Sequence, residues 1–277
     1  MICVELGREA AARERIMDLG LKGKVAMVSG GSRGIGRAIA QALAEEGVSV
    51  SICARTADAV AAARAELSQA SLKSGGASAG GFNGDVTRPA DAEAWVAAVL
   101  QQYGRIDVLV NNAGFAQPGA LADLPDSAWD EQFGLNLFAA VRLTRLVAPH
   151  LEKAGSGSII NIGSIYGRES GGPLAYNASK AALHSFTKML AREFAPRRIR
   201  VNAVAPGSIL YPGGTWERMF KQNPAFERDF ISHELPAGRL GRPEEVAYAV
   251  LMLASPRASW ITGACIPVDG AQGRSIV

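Results

Sequence analysis

A tyrosine and a lysine four positions apart have the spacing and the chemistry of a proton-transfer site. Tyr176 and Lys180 stand in the sequence Tyr-Asn-Ala-Ser-Lys, and residues four apart share one face of a helix. A nearby ammonium group stabilises phenolate, so it lowers the pKa of a phenol from its ordinary value of about 10. Such a phenol can act as general acid or base near neutral pH. Because this spacing also occurs by chance in helices, its meaning depends on the elements around it.

A serine ends the strongly apolar run that precedes this pair. The run Ile159-Ile160-Asn161-Ile162-Gly163 predicts a buried strand, and Ser164 follows it directly. We therefore expect Ser164 to lie at the carboxyl end of a strand, with its hydroxyl facing the same cleft as Tyr176.

The composition of the whole chain excludes several classes of function. Its 277 residues are 48% hydrophobic and 20% charged, which fits a globule with a well-filled core, and no apolar stretch is long enough for a membrane span. A net charge of +3, without basic runs interleaved with aromatics, argues against a nucleic-acid partner. The three histidines lack ligand spacing, so we predict no metal site. The three cysteines fit reduced thiols in a cytoplasmic protein.

The first sixteen residues differ in character from the rest of the chain. Residues 1–16 mix acidic and basic side chains with alanine and lack the apolar core of a signal peptide. We interpret them as a loosely ordered extension, with Met17 as a plausible natural start and residues 17–277 as one domain. A variant that begins at Met17 is expected to fold and to retain activity.

A glycine-rich turn near the start of this domain predicts a nucleotide site. The apolar strand Val25–Val28 runs into Ser29-Gly30-Gly31-Ser32-Arg33-Gly34-Ile35-Gly36, and an alanine-rich helix follows from about Arg37 to Glu46. In this arrangement backbone amides and a helix N-terminus can meet a pyrophosphate. An ordinary strand-to-helix turn is the alternative, and the fitting strand and helix favour a dinucleotide. The predicted contacts are Gly30, Ser32, Arg33, Gly34, Ile35 and Gly36.

The end of the second predicted strand indicates which dinucleotide binds. Strand Val48–Cys53 ends in Ala54-Arg55, where an acidic residue would accept hydrogen bonds from a free ribose 2′-hydroxyl. Arg55, helped by Arg33, instead offers positive charge for a 2′-phosphate. We therefore predict NADP(H) rather than NAD(H), the alternative being that Arg55 is an ordinary surface arginine.

The remaining pattern alternates strands and helices, which predicts a doubly wound parallel sheet. The third strand, Gly80–Asn83, leads to Asp85, which we expect to contact the adenine amino group. The fourth, Ile106–Val110, ends in Asn111-Asn112-Ala113-Gly114.

Taken together, these motifs resemble the short-chain dehydrogenase/reductase family, and within it the branch similar to 3-oxoacyl-carrier-protein reductases. The resemblance covers about residues 22–270 and implies a single Rossmann-type domain of about seven strands, with helices on both faces of the sheet. It also implies hydride transfer between a nicotinamide dinucleotide and a carbonyl or alcohol. It is carried by the glycine turn, Asn111-Asn112-Ala113-Gly114, Asn136, Ser164, Tyr176, Lys180 and Pro206-Gly207.

The resemblance also implies roles for single residues. Tyr176 would donate the proton and Ser164 would stabilise the oxyanion, while Lys180 would bind the nicotinamide ribose and lower the tyrosine pKa. Asn136, on a helix predicted over about 127–153 and bent at Pro149, would hold a water that connects Lys180 to solvent. A packing or capping role is the alternative for this asparagine. Further predicted cofactor contacts are Asp85, Val86, Asn112, Ala113, Gly114, Tyr176, Lys180, Pro206, Gly207 and Ile209.

The long segment after Pro206-Gly207 predicts a substrate lid. Residues 208–238, here called the lid, carry glycines that could serve as hinges and many aromatic side chains. Tyr211, where the family commonly has threonine, is expected to wall an apolar pocket with Trp216 and Met219, opposite Tyr166 and Phe115. Such a pocket favours a hydrophobic or ring-bearing ketone. Alternatively, the aromatics pack the lid against the body or another subunit.

Three functional readings follow. The first is an NADP(H)-dependent oxidoreductase acting on a ketone or secondary alcohol. The second is a 3-oxoacyl thioester reductase proper, for which scattered arginines could dock an acidic carrier protein. The third is a catalytically silent NADP-binding sensor, which the complete set of Asn136, Ser164, Tyr176 and Lys180 disfavours. In the family the final strand, Cys265–Gly270, is usually part of a subunit interface, so we expect a homotetramer or homodimer.

Overall fold

A computed structural model describes residues 18–276 of the chain. The expectations for residues 1–16 and for Met17 fall outside this range. Among the helices of the described residues, none is both long and apolar enough to pass through a bilayer. The same residues contain no group of three or more histidine, cysteine, aspartate or glutamate side chains placed to hold a metal ion.

Seven parallel strands form one sheet in the order β3-β2-β1-β4-β5-β6-β7. This confirms the predicted doubly wound parallel sheet. The strand order reverses direction between β1 and β4, which is where open sheets of this kind bind ligands, beyond the carboxyl ends of the strands. The strands are β1 Val25–Ser29, β2 Ser49–Ala54, β3 Gly80–Asn83, β4 Val108–Asn111, β5 Gly157–Ile162, β6 Ile199–Pro206 and β7 Cys265–Val268.

The helices cover both faces of the sheet. Alternate residues of β1 enter opposite cores, with Ala26 and Val28 packed toward α1, α2 and α9, and Val25 and Met27 toward α3, α5 and α6. Both faces are buried, as the continuous apolar character of the strands requires. The helices are α1 Gly34–Glu45, α2 Ala57–Lys73, α3 Pro89–Tyr103, α4 Asp126–Phe133, α5 Ala139–Lys153, α6 Leu174–Phe194, α7 Thr215–Gln222, α8 Pro224–Glu234 and α9 Pro243–Ala254.

The predicted long helix over 127–153 differs from the structure in its middle. A π-helical turn, Gly134–Phe138, separates α4 from α5, whereas Pro149 lies within α5. Single π turns inside helices are frequent at functional sites, because they change the direction in which a side chain points. The turn here contains Asn136.

The lid contains two helices of its own. Helices α7 and α8 enclose a small apolar cluster that includes Phe220, Leu235 and Leu240, apart from the two cores of the sheet. The lid therefore has packing of its own rather than being an irregular loop.

Candidate active site

The first turns of α6 bring Tyr176 and Lys180 together, as their spacing predicts. The Lys180 Nζ atom lies 5.6 Å from the centre of the Tyr176 ring. Lys180 is buried, and its ammonium donates a hydrogen bond of 2.7 Å to the carbonyl of Ile162, the last residue of β5. Burial disfavours the charged form and lowers the pKa of Lys180 to about 8.

Ser164 follows β5 and contacts Tyr176, so the predicted oxyanion stabiliser and the predicted proton donor are neighbours. Ser164 is buried and forms a side-chain hydrogen bond with Tyr176. Its Oγ atom also accepts a hydrogen bond of 3.2 Å from the backbone N–H of Tyr166, which fixes the hydroxyl at the end of the strand. A carbonyl oxygen placed beside this pair would meet two hydroxyl groups.

The acidity of Tyr176 differs from the expectation. Desolvation raises the pKa of the phenol, the hydrogen bond with Ser164 lowers it, and the neighbouring Tyr166 and Tyr211 raise it further. The net shift is upward, so the predicted lowering by Lys180 is wrong for this structure. The reason is that burial desolvates the phenol and two other phenols lie near it, while the lysine ammonium is directed at Ile162. A phenol that keeps its proton is suited to act as general acid.

Asn136 connects the catalytic helix to the segment after β4. Its Oδ1 atom accepts from the backbone N–H of Phe115 at 3.0 Å, and its Nδ2 atom donates to the Phe115 carbonyl at 3.0 Å. Nδ2 also donates to Ser179 Oγ at 3.0 Å, one residue before Lys180. A Cβ atom built on Gly114 would lie 2.9 Å from Asn136 Oδ1 and 3.4 Å from Lys180 Nζ, so this backbone approaches both side chains. Ser179 carries no sequence signal that would have singled it out.

The glycine turn fits the phosphates of a dinucleotide. Helix α1 begins at Gly34 with neither a side-chain cap nor an acidic residue in its first turn, which leaves N–H groups for an anion. Gly30 has a positive φ of 66°, and a Cβ atom on Gly36 would lie 2.4 Å from both the Gly30 carbonyl and Asn112 Nδ2. Glycine is therefore required for the shape of the turn at both positions.

Asn112 braces this turn from β4. Its Nδ2 atom donates to the Ser29 carbonyl at 2.9 Å, and Ser29 Oγ accepts from the backbone N–H groups of Asn112 at 3.0 Å and Ala113 at 3.1 Å. The Asn112 side chain thus holds β1 against β4 at the point where the strand order reverses. The predicted contribution of Asn112 to cofactor binding would come from holding the backbone of the glycine turn in place.

Positive charge is available beyond the ends of β1 and β2, where the sequence predicts the ribose attached to adenine. Arg33 in the glycine turn and Arg55 after β2 are both exposed, and within residues 18–276 neither forms an ion pair. After β3, Asp85 Oδ1 accepts from the Thr87 backbone N–H at 2.9 Å and from its hydroxyl at 2.8 Å. Val86 is buried, and its carbonyl accepts from Arg142 at 3.0 Å.

The segment after β6 closes the crevice on its other side. Pro206 ends β6, and Ile209 is buried in the core and pairs with Gly241. The Tyr211 ring packs against the glycine turn, because a Cβ atom on Gly34 would lie 2.8 Å from it. All predicted site residues therefore come from the carboxyl ends of β1 to β6 and from the elements that follow them.

A cleft of about 820 Å³ opens beside Ile165 and Tyr166, which directly follow Ser164. Its walls come from the loop after β5, from α8 and from the last described residues of the chain. The lining mixes charged and polar side chains with apolar ones, and apolar atoms make up the larger part of its exposed surface. The predicted apolar pocket therefore also carries charged groups that the sequence pattern did not predict. The charged and polar lining residues are Arg168, Glu169, Ser170, Asp229, His233, Glu234, Gln272, Arg274 and Ser275.

The lid aromatics divide between the cleft and the interior of the lid, since Phe226 and Phe230 line the cleft. The Trp216 ring lies 4.4 Å from Phe230 and 5.5 Å from Phe220, centre to centre, so it packs inside the lid. Met219 is 38% exposed. Of the expected apolar walls, Tyr166 lines the cleft and Tyr211 lies near Tyr176. Trp216 thus packs within the lid, which is closer to the packing alternative than to the predicted pocket wall.

Known proteins resemble this chain over nearly its whole length. The family model described as enoyl-(acyl carrier protein) reductase matches residues 30–271. The 3-oxoacyl-[acyl-carrier-protein] reductase FabG of Vibrio cholerae is 39% identical over 261 residues, which cover 91% of this chain and 98% of the relative. The short-chain reductase protein NovJ of Streptomyces niveus is 35% identical and covers 90% of this chain and 93% of its own length.

A solved structure agrees in fold as well as sequence. The L-sorbose reductase of Gluconobacter frateurii, crystallised with NADPH and L-sorbose, is 34% identical and superposes with a TM-score of 0.87. The match covers 94% of this chain and all of that chain. With the parallel sheet, the glycine turn and the Ser164, Tyr176 and Lys180 cluster already described, these matches decide the family. The chain therefore belongs to the short-chain dehydrogenase/reductase family of oxidoreductases.

Proposed function

We propose that this protein transfers a hydride between NADP(H) and a ketone or secondary alcohol, with Tyr176 as the proton donor in reduction. The observation that carries the proposal is the hydrogen-bonded pair of Tyr176 and Ser164, with buried Lys180 beside it and the glycine turn across the crevice. A raised tyrosine pKa keeps the proton in place until a substrate oxygen develops negative charge.

In reduction, the substrate carbonyl oxygen accepts hydrogen bonds from Ser164 and Tyr176. A nicotinamide held beside the glycine turn would supply the hydride chemistry. Tyr176 passes its proton to the substrate oxygen as negative charge develops there. Ser164 stabilises that charge, because its hydroxyl is held at the end of β5 before the substrate arrives. In oxidation, the Tyr176 phenolate accepts the alcohol proton.

The choice of NADP(H) rests on two exposed arginines. Arg33 and Arg55 lie at the ends of β1 and β2, and no carboxylate stands at position 54 to accept a free 2′-hydroxyl. A phosphate bound to an arginine forms charge-assisted hydrogen bonds. The L-sorbose reductase that this chain resembles was crystallised with NADPH, which agrees with this choice.

The cleft favours a polar substrate. Carboxylates and guanidinium groups line it, and these can bind hydroxyl or other polar groups of a carbonyl substrate. A second candidate is reduction of a 3-oxoacyl thioester, supported by the names of relatives such as the FabG protein of Vibrio cholerae. The apolar side chains of the cleft, Ile165, Phe226, Phe230 and Ile276, are available to contact the chain of such a thioester.

We also propose that the enzyme is a cytoplasmic homo-oligomer, a tetramer or dimer. Tyr248 and Met252 are one turn apart on α9 and are 69% and 41% exposed, and Trp260, between α9 and β7, is 98% exposed. Large apolar side chains with this exposure are candidates for a protein contact. Trp260→Glu is expected to lower the assembly mass in light scattering after size-exclusion chromatography. An unchanged mass would contradict this interface.

A substrate panel tests the proposed activity. Polyhydroxylated ketones, apolar ketones, 3-oxoacyl thioesters and secondary alcohols would each be offered with NADP(H) and with NAD(H), and turnover followed by nicotinamide absorbance. We expect turnover with NADPH and polar ketones. Higher kcat/KM for 3-oxoacyl thioesters would favour the second candidate, and NADPH binding without any turnover would favour a sensor.

A further inference from the structure

The last described residues of the chain form one wall of the cleft, and neither the sequence motifs nor the mechanism uses them. Residues 272–276, here called the C-terminal strap, begin at the buried Gln272. The Gln272 side chain accepts from the Ser208 backbone N–H at 2.7 Å and donates to Ser208 Oγ at 3.0 Å. The strap is thereby fixed to the turn that follows β6.

Glu169 holds the strap against the loop that follows Ser164. Its Oε2 atom accepts from the backbone N–H groups of Arg274 at 2.5 Å and Ser275 at 2.6 Å. Hydrogen bonds to an ionised carboxylate are stronger than those between neutral groups. The Glu169 carbonyl accepts from Asn177 Nδ2 at 2.8 Å, and Asn177 is the neighbour of Tyr176 on α6. The strap is therefore linked to the catalytic helix through one residue.

Arg274 continues this connection to the lid. Its Nη2 atom donates to Glu234 Oε2 on α8 at 3.3 Å. Both side chains are exposed, and such a pair contributes little stability by itself. This ion pair is important for its position, because it joins the strap to α8 on the opposite wall of the cleft. Burial raises the pKa of the Tyr166 phenol, and the nearby carboxylates of Glu234 and Glu169 raise it further.

We propose that Glu169 and Arg274 are positioning residues for the carbonyl substrate. Through the strap they hold α8 against the loop after Ser164 and so fix the walls that contact the part of the substrate beyond its carbonyl group. This inference rests on the proposed function of the cleft. Because neither residue contacts the proton-transfer pair or the glycine turn, substrate KM depends on the strap, whereas kcat and NADPH affinity do not.

A double-mutant cycle tests this connection. Glu169→Ala removes the acceptor of the strap, and a variant ending at Gly273 removes the strap beyond its anchor. We expect each change to raise the KM of the polar ketone about tenfold, because each removes the two hydrogen bonds that Glu169 accepts from the strap. Both changes together are expected to raise KM no further, since both break the same link. Multiplied effects, or a change confined to kcat, would overturn the proposal.

The ion pair between Arg274 and Glu234 is tested by exchanging the two charges. Arg274→Glu is expected to raise KM about threefold, as the loss of an exposed ion pair allows, and Glu234→Arg in the same chain should restore it. Glu152→Ala is a matched control, because it removes an exposed pair with Arg197 (2.8 Å) at the ends of α5 and α6. If Glu152→Ala raises KM equally, or the charge exchange does not restore KM, the pair of Arg274 and Glu234 has no positioning role.

Hydrogen exchange gives a readout that does not require turnover. Amides of α8 should exchange faster in Glu169→Ala, while those of β1 and β5 remain unchanged. If the wild-type enzyme reduces no carbonyl compound, the proposed function fails, although exchange in α8 still tests the strap. If wild-type turnover is present but both KM and α8 exchange stay at wild-type values in the variant, only the strap proposal fails.

Discussion

Around Tyr176, the side chains that hold the site are buried and bind mainly to backbone, whereas those across the cleft are exposed and bind one another. Lys180 and Asn136 are 3% and 2% exposed, and each contacts a carbonyl next to a strand end. Across the cleft, Arg274 is 78% and Glu234 47% exposed.

This difference separates the two tasks of the enzyme. Proton and hydride transfer require fixed distances, and burial with backbone partners supplies that rigidity. Substrate recognition has to vary among members of a family, and exposed charged side chains can change without disturbing the sheet. We therefore expect changes near Tyr176 to affect chemistry or cofactor binding, and changes across the cleft to affect substrate affinity.

The largest expected effect is that of Tyr176→Phe. Removing the hydroxyl leaves the ring in place but removes the proton donor, so kcat should fall about 10³-fold, within the range of general acid catalysis. NADPH affinity, measured by fluorescence titration, should stay within about twofold, as expected if binding depends on the glycine turn. Near wild-type turnover in this variant would exclude the proton-transfer role of Tyr176.

Lys180→Met is expected to change how stability depends on pH. The pKa of Lys180 is lowered from 10.5 to about 8, so between these values the unfolded chain binds a proton that the folded protein does not. Stability attributable to Lys180 must therefore rise with pH across this window. The unfolding free energy of the wild type, measured in urea without cofactor, should increase relative to Lys180→Met as pH rises from 8 to 10.5. A constant difference would show that burial does not lower this pKa.

Arg33→Ala and Arg55→Ala test the predicted contacts with the cofactor. Each should weaken NADPH binding about tenfold, the value of a charge-assisted contact, while NADH binding changes little. The ratio of kcat/KM for the two cofactors measures this preference directly. Equal losses of affinity for NADPH and NADH would show that the two arginines do not bind the 2′-phosphate.

The same contrast explains what the sequence alone could predict. The strands, the glycine turn and the bounds of α6 follow from local patterns, and Tyr176 and Lys180 meet because both stand on one helix. The contacts of Glu169 with Arg274 and Ser275 join residues more than 100 positions apart, and nothing local marks them. The raised tyrosine pKa was missed for a related reason, since desolvation depends on which side chains the fold gathers around the phenol.

Trp216→Ala should give the smallest effect, and it tests whether the lid packs independently of the sheet. The indole packs against Phe220 and Phe230, and aromatic pairs of this kind contribute about 1 kcal/mol beyond their buried area. Because α7 and α8 lie apart from the two sheet cores, the loss should loosen the lid and raise substrate KM about threefold. The midpoint of global unfolding should barely move, and Trp216→Phe should restore most of the affinity. A large fall in the unfolding midpoint would instead show that the lid and the sheet unfold as one cooperative unit. Substrate recognition and proton transfer would then not lie in structurally independent regions.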